Sequence, residues 1–292
     1  MLRLATTGLA SGLRFLSRLA PALAPAVMKV AARTVHRVPI SVRARAWFGE
    51  TLDGHLGDLL GRVVFYSGVW EPDITRFVWQ RLKPGATFVD IGANIGYFAL
   101  MAGMKVGPEG SVVAVDPSPA TGPMLSRNAL RARHGNVRAV LDAVTASAAT
   151  VEFFEGPPGN SGKASLMRHA EGNGPRATVP GRPLAAILGD AEIASASIIK
   201  IDVEGYEAIV LQQVLELLPR LPRDVIVVSE VLPSYWPALG VDLAQTLHEF
   251  EAAGFSIFAF ADRSYEATFG FDVSQPPRLL PVERPPELPA DL

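Results

Sequence analysis

The sequence has no cysteine. That excludes a disulfide framework, an iron–sulfur cluster, a thiolate zinc site and a cysteine nucleophile, and it fits a reducing compartment. No apolar run reaches the roughly 18 residues that span a bilayer, because Arg14 and Arg18 interrupt the best candidate. No repeat of solenoid period recurs. Acidic residues are missing from residues 1–49, which hold eight basic ones: Arg3, Arg14, Arg18, Lys29, Arg33, Arg37, Arg43 and Arg45. The formal net charge of −2 therefore splits unevenly. The rest of the chain carries 27 − 8 = 19 basic and 29 acidic side chains, a net of −10. An acidic body does not grip phosphates, so no nucleic acid partner is expected. The basic arm leaves an anionic surface such as lipid as a partner.

What is present has an ordinary globular balance. Of 292 residues, 49% are hydrophobic and 19% charged, which rules out a mainly disordered chain. In the arm, Leu9, Leu13, Leu16, Leu23 and Val27 share one helical face with Arg14 and Arg18 off it, and Pro21 and Pro25 break the pattern into two short helices. Two readings stand for residues 1–35: peripheral membrane contact, and a helix packing its leucine face on the body. The arginine-rich, acid-free composition also resembles a mitochondrial transit peptide, whereas a secretory signal fits less well because the positive charges are spread through the segment. The expectation is a cytoplasmic protein with membrane contact through the arm.

From about residue 86 the chain alternates short apolar runs with helical patterns. Strands are predicted at 86–91, 111–115, 136–141, 197–201, 224–229 and 255–260, and helices over 95–105, 120–133, 208–218 and 242–253. Such alternation implies βαβ units and a mostly parallel sheet covered on both faces. Residues 156–183 read as a long loop with room for an edge hairpin, and a long loop in a compact domain is more often functional than idle. Residues 275–292 read as an extended proline-rich tail in which Pro276 and Pro277 disfavour a strand.

In open α/β sheets, ligands bind beyond the carboxyl ends of the strands. The first strand runs into VDIGANIGYF, residues 89–98. The G-x-x-x-G of Gly92 and Gly96 is neither a G-x-G-x-x-G dinucleotide fingerprint nor a phosphate loop with Gly-Lys-Ser/Thr. Asp90 at the strand tip repels anions, so a cation bearing a ribose and a purine suits the place. Asp116, followed by Pro117 and Ser118, is placed to accept both hydrogen bonds of a ribose diol, or else to cap a helix. Asp142 and Ala143 follow the third strand, where a carboxylate can accept from an exocyclic amine. Next comes KIDVEGYE, residues 200–207, with charged Lys200, Asp202, Glu204 and Glu207. Lys200 lies between isoleucines and needs the adjacent acids as partners. The cluster suits proton transfer or substrate positioning, although Glu207 fits a plain helix start better. Glu230 ends the fifth strand; Tyr235 and Trp236 beyond it are the better candidates for an acceptor wall. Of five histidines only His169, in the long loop, can reach the site. A divalent metal held by Asp202, Glu230 and a neighbour is conceivable, but no dedicated metal spacing is present and none is expected.

VDIGANIGYF, the Asp116-Pro117 strand end and KIDVEGYE, in this order and spacing, resemble the FkbM-type S-adenosylmethionine-dependent methyltransferases. So do Glu71 in GVWEPD and Ser165-Leu166 in the long loop, and the resemblance covers roughly residues 65–262. It implies a class I methyltransferase (Rossmann-like) three-layer α/β sandwich, with a seven-stranded, mostly parallel sheet and one antiparallel strand. It implies S-adenosylmethionine as cofactor, with Glu71, Asp90, Gly92, Asn94, Gly96 and Tyr97 around its methionine part. Asp116, Pro117 and Ser118 would lie at its ribose, and Asp142 and Ala143 at its adenine. Lys200, Asp202 and Glu204 are then the catalytic candidates, Asp202 first as base. Ser165, Glu230, Tyr235 and Trp236 are the acceptor contacts. The implied reaction is O-methylation of a hydroxyl on a sugar, glycolipid, polyketide or other secondary metabolite. Two alternatives remain: a nicotinamide-dependent oxidoreductase on the same layered fold, and an inactive cofactor-binding module at a membrane surface. The division expected is a basic helical arm over 1–64, a methyltransferase domain over 65–274 and the tail over 275–292.

Overall fold

The computed structural model describes residues 40–169, 174–261 and 271–282. The helices expected in residues 1–35 lie outside these. The centre is a five-stranded sheet of β3 (Thr87–Ile91), β4 (Ser111–Val115), β5 (Val137–Val140), β9 (Ala196–Ile201) and β10 (Ile226–Ser229), in the order β10-β9-β3-β4-β5. Every pairing in it is parallel. All five residues of β3 are buried, which is why the central strands read as unbroken apolar runs.

Successive residues of these strands serve different cores. Phe88, Ile198 and Val228 point to one face, Val89, Val113 and Ile199 to the other. The first face is covered by α3 (Tyr97–Val106), α4 (Gly122–Leu130), α1 (Leu59–Ser67) and α2 (Pro72–Arg81). The second is covered by α5 (Leu184–Ile187), α6 (Asp190–Ser195) and α7 (Glu207–Leu217). Each fully buried side chain of this kind contributes ~1.5–3 kcal/mol. The result is the expected three-layer α/β class.

Three features depart from expectation. A hairpin of β1 (Ser41–Arg45) and β2 (Thr51–His55) precedes α1, and its Ala44 and Leu52 join the first core together with Leu56, Leu60 and Val64. The boundary expected at residue 64 thus falls inside α1. The Asn128 amide of α4 fastens the hairpin, accepting from the Asp53 N–H at 2.8 Å and donating to the Ile95 carbonyl at 2.8 Å. Second, the long loop holds β8 (Arg176–Arg182), which pairs with β7 (Ala149–Phe154) and β6 (Ala143–Val144) in a separate three-stranded sheet.

Third, the central sheet has five strands, not seven. After α8 (Leu243–Ala252), β11 (Phe258–Phe260) pairs antiparallel with β12 (Leu279–Pro281) in a two-stranded sheet of its own. Three-residue strands with Phe258 and Leu280 more than half exposed bury too little to join a core sheet. A strand does form in the proline-rich tail, because it starts after Pro276 and Pro277.

Candidate active site

The chain builds outward from β3 to β4 and β5, then returns to lay β9 and β10 on the other side. The strand order therefore switches between β3 and β9, where a crevice opens at their carboxyl ends. A cavity of about 480 Å³ occupies it.

Gly92 makes the crevice possible. Its φ is +84°, and a Cβ there would overlap the carbonyl oxygen of Asp202, so only glycine lets the loop after β3 pass the loop after β9. The Asp202 N–H donates to the Ile91 carbonyl at 2.9 Å and locks that approach. Asn94 follows, left-handed at φ +50°. Its N–H donates to Asp116 Oδ2 at 2.8 Å, while the Ser118 N–H donates to Asp116 Oδ1 at 3.0 Å. Asp116 is 8% exposed. Burial pushes its carboxyl up to about 7, against the opposing pull of those two N–H groups.

The β9 end carries the charged cluster. Lys200 is buried beneath Phe98, with Nζ 4.8 Å from the ring centroid. It donates to Asp202 Oδ2 at 2.8 Å and lies 4.0 Å from Asp90 Oδ1. Burial alone would lower the Lys200 pKa, but the carboxylates of Asp202 and Asp90 raise it overall, so it stays charged. Asp90 is 1% exposed, and neither of its oxygens has a side-chain hydrogen-bond partner among the described residues. Burial pushes it up to about 6, with Lys200 pulling the other way.

Glu204, left-handed at φ +53°, and Glu230 complete the cluster. Carboxyl oxygens of Asp202, Glu204 and Glu230 all lie within 4.8 Å of one another. Burial, then the charge of Asp202, raises Glu204 to about 8 and Glu230 well above the usual carboxyl range. Three such oxygens are hard ligands that a divalent cation accepts, but the Lys200 ammonium already supplies positive charge against Asp202. Glu207 stands at the start of α7 as expected, but it is fully buried rather than solvated, and both its oxygens accept the Gly205 N–H, at 2.8 and 3.0 Å.

The long loop closes the crevice. Ser165 Oγ lies 3.0 and 2.7 Å from the carbonyls of Val203 and Glu204, so it fixes the β9 end. Ser161 is held by Asn94 Nδ2 at 3.2 Å and donates its N–H to Asp58 at 2.7 Å. The His169 ring Nδ1 and the Tyr235 hydroxyl are 2.7 Å apart on the cavity wall.

Most of the predicted residues meet here. Glu71, Gly92, Asn94, Tyr97, Asp116, Pro117, Asp142, Ala143, Ser165, Lys200, Asp202, Glu204, Glu230 and Tyr235 line the cavity. Four do not. Asp90 stands behind Lys200, and Gly96 shapes the turn at φ +90°. Ser118 turns away, donating its hydroxyl to Glu155 Oε2 at 2.7 Å and accepting from the N–H groups of Ala120 and Thr121. Trp236, 1% exposed, belongs to the second core rather than to an acceptor wall.

Two lining residues are partly committed elsewhere. The Tyr97 hydroxyl accepts from Trp47 Nε1 at 3.0 Å, and Asp142 accepts from Arg182 Nε at 2.6 Å. Sequence reading missed Glu155 and Asp58, which hold Ser118 and Ser161 and are brought in by tertiary packing from segments with no motif of their own.

The methyltransferase FkbM domain model matches residues 90–257, more than half of the chain. Comparison with curated proteins gives no match. Among solved structures, the chain is similar to a methyltransferase FkbM from Methylobacillus flagellatus KT, at 17% identity and TM-score 0.33, covering 47% of this chain and 31% of that one. It is similar to a SAM-dependent methyltransferase from Agrobacterium tumefaciens, at 10% identity and TM-score 0.38, covering 72% and 57%. It is also similar to a precorrin-6y C5,15-methyltransferase from Geobacter metallireducens GS-15, at 15% identity and TM-score 0.37, covering 64% and 72%. Overlaps this loose carry no argument about the reaction or the acceptor.

Proposed function

We propose that this chain, which belongs to the methyltransferase FkbM domain family, methylates a hydroxyl oxygen of a small molecule. S-adenosylmethionine is its cofactor. The chemistry of the cavity suits that group. Glu71, Asp116 and Asp202 line it, a set that favours a cation. Asp116 is buried enough that a pair of ribose hydroxyl donors would relieve it, and the Asp142-Ala143 edge with Pro117 and Phe153 offers an apolar slot for a purine. Glu71, Gly92 and Asn94 would hold the methionine part. When bound, the cofactor supplies an activated sulfonium methyl, whose C–S bond breaks as the acceptor C–O bond forms, leaving a neutral thioether.

The chain must align the acceptor, exclude water and take a proton. The observation that carries the assignment is the ion pair of Asp202 and Lys200 at the cavity wall. Lys200, buried and charged, fixes one oxygen of Asp202, and the carboxylate is left to accept the hydroxyl proton. Glu204, raised to about 8, is protonated at neutral pH and can donate a hydrogen bond to the acceptor. Tyr235 and His169 wall the acceptor side. The oxidoreductase alternative gives way to the family assignment.

Asp202→Asn tests the role. The variant is expected to fold and to bind S-adenosylhomocysteine within about threefold of wild type. On a panel of hydroxylated acceptors its turnover should fall by roughly 10²-fold or more. Full turnover on the true acceptor would remove Asp202 from the base role. Peripheral membrane contact through residues 1–35 belongs to the same reading, in a cytoplasmic setting. No helix among the described residues is long and apolar enough to cross a membrane. Vesicle flotation with and without residues 1–35 tests the contact, and identical behaviour would remove it.

A further inference from the structure

A second, larger space adjoins the active site. It encloses about 930 Å³, near the upper end of small-molecule sites, and runs along the outer edge of β10 toward the β11–β12 hairpin. Among the described residues β10 pairs with β9 alone, so this edge is open. At one end the walls are Glu71, Lys200, Asp202 and Glu230, and the same four residues line the cofactor cavity. The two spaces therefore meet at the proton-accepting cluster.

Beyond that end the long walls are apolar, formed by Ile74 and Phe77 of α2, Leu243 and Leu247 of α8, Phe260 of β11 and Leu279 of β12. Asp73, two residues beyond Glu71, is the exception, and Arg76 holds it at 3.0 Å. Charge returns at the far rim, where Arg81, Arg223 and Asp224 are exposed. α2 runs from one end to the other, and its ten residues make the cleft about 15 Å long at 1.5 Å per residue.

We infer that this cleft seats the aliphatic body of the methyl acceptor, with the hydroxyl delivered to Asp202 and Glu230. The inference rests on the methyltransferase reading and narrows its acceptor to a long-chain, hydroxyl-bearing amphiphile. A sugar presents hydroxyls on every side. Against Ile74, Phe77 and Leu247 each would lose its partner, at roughly tenfold in affinity apiece. An alkyl chain needs charged partners at its ends only, and apart from Asp73 the charged side chains of the cleft stand at its two ends. It also keeps water from the reacting oxygen.

The test uses the full chain. Displacement of anilinonaphthalene sulfonate by butanol, octanol, dodecanol and glucose reads the cleft, and calorimetry with S-adenosylhomocysteine on the same samples reads the cofactor cavity. Affinity is expected to rise with chain length, by up to about fourfold per buried methylene, and glucose should displace nothing. Leu247→Trp, which fills the cleft, should weaken dodecanol at least tenfold and leave S-adenosylhomocysteine within about twofold. Leu243→Trp on the same wall gives a second reading if the first variant fails to fold. Chain-length independence, or dodecanol affinity unchanged in a folded variant, overturns the inference while intact cofactor binding leaves the methyltransferase reading standing. Loss of cofactor binding in the wild type would strike that reading instead.

Discussion

Replacing Lys200 with methionine probes the buried charge network beneath the site. Methionine keeps most of the stem that packs on Phe98 and removes the ammonium 2.8 Å from Asp202 and 4.0 Å from Asp90. Asp202 is partly exposed and water can solvate it. Asp90 is 1% exposed and has no other side-chain partner to turn to among the described residues, only the Ala99 backbone N–H. Breaking such a buried pair costs about 3–5 kcal/mol. Protonation of Asp90 limits the loss. Its folded pKa, about 6, already lies above the usual 3.8 because of burial, and removing Lys200 lifts it further.

The sign of the pH dependence follows. A carboxyl whose folded pKa exceeds its unfolded value stabilises fully below the unfolded value, and that contribution is lost as pH rises through the folded one. In the wild type this loss ends near pH 6. In the variant it continues upward, so the stability gap widens by up to about 1.4 kcal/mol per pH unit. We expect Lys200→Met to lose about 3 kcal/mol at pH 7, less at pH 5.5 and more at pH 8. At pH 7 that is a fall in Tm of roughly 6–10 °C. Adding Asp90→Asn should return about 1–2 kcal/mol. Urea unfolding of all four proteins at the three pH values measures this. Single effects that simply add within about 0.5 kcal/mol, or a gap that ignores pH, would refute the coupling.

Two further predictions concern shape. Gly92→Ala places a Cβ on the Asp202 carbonyl at a left-handed φ, so S-adenosylhomocysteine binding should be abolished and Tm lowered; an alanine variant that binds normally would mean the two loops do not touch as described. Trp236→Ala removes a fully buried side chain from the second core, so it should cost about 3–5 kcal/mol in urea unfolding, and a change in acceptor preference without loss of stability would return it to the acceptor wall.

The central strands were legible because β3, β4 and β9 are buried on both faces, which forces unbroken runs of β-branched and other apolar residues. The strand-end acids were legible because a carboxylate directly after such a run has few structural uses. The β1–β2 hairpin was not. Arg43, Arg45, Asp53 and Gly54 dilute its pattern, and what secures it is the Asn128 amide, seventy-five residues from Asp53. Trp236 and Ser118 were placed at the site by closeness in sequence, which does not tell which way a side chain turns. The pairing of β11 with β12, apart from the main sheet, depends on three-residue strands too short to carry a periodicity.

Titration of the purified chain with S-adenosylmethionine and S-adenosylhomocysteine by calorimetry, from pH 6 to pH 8, tests the central claim most directly. The account predicts micromolar binding that strengthens roughly tenfold as Asp116, raised to about 7, ionises to accept the ribose hydroxyls. It predicts loss of both the affinity and its pH dependence in Asp116→Ala. A well-folded wild type that binds neither ligand at any of these pH values would contradict it.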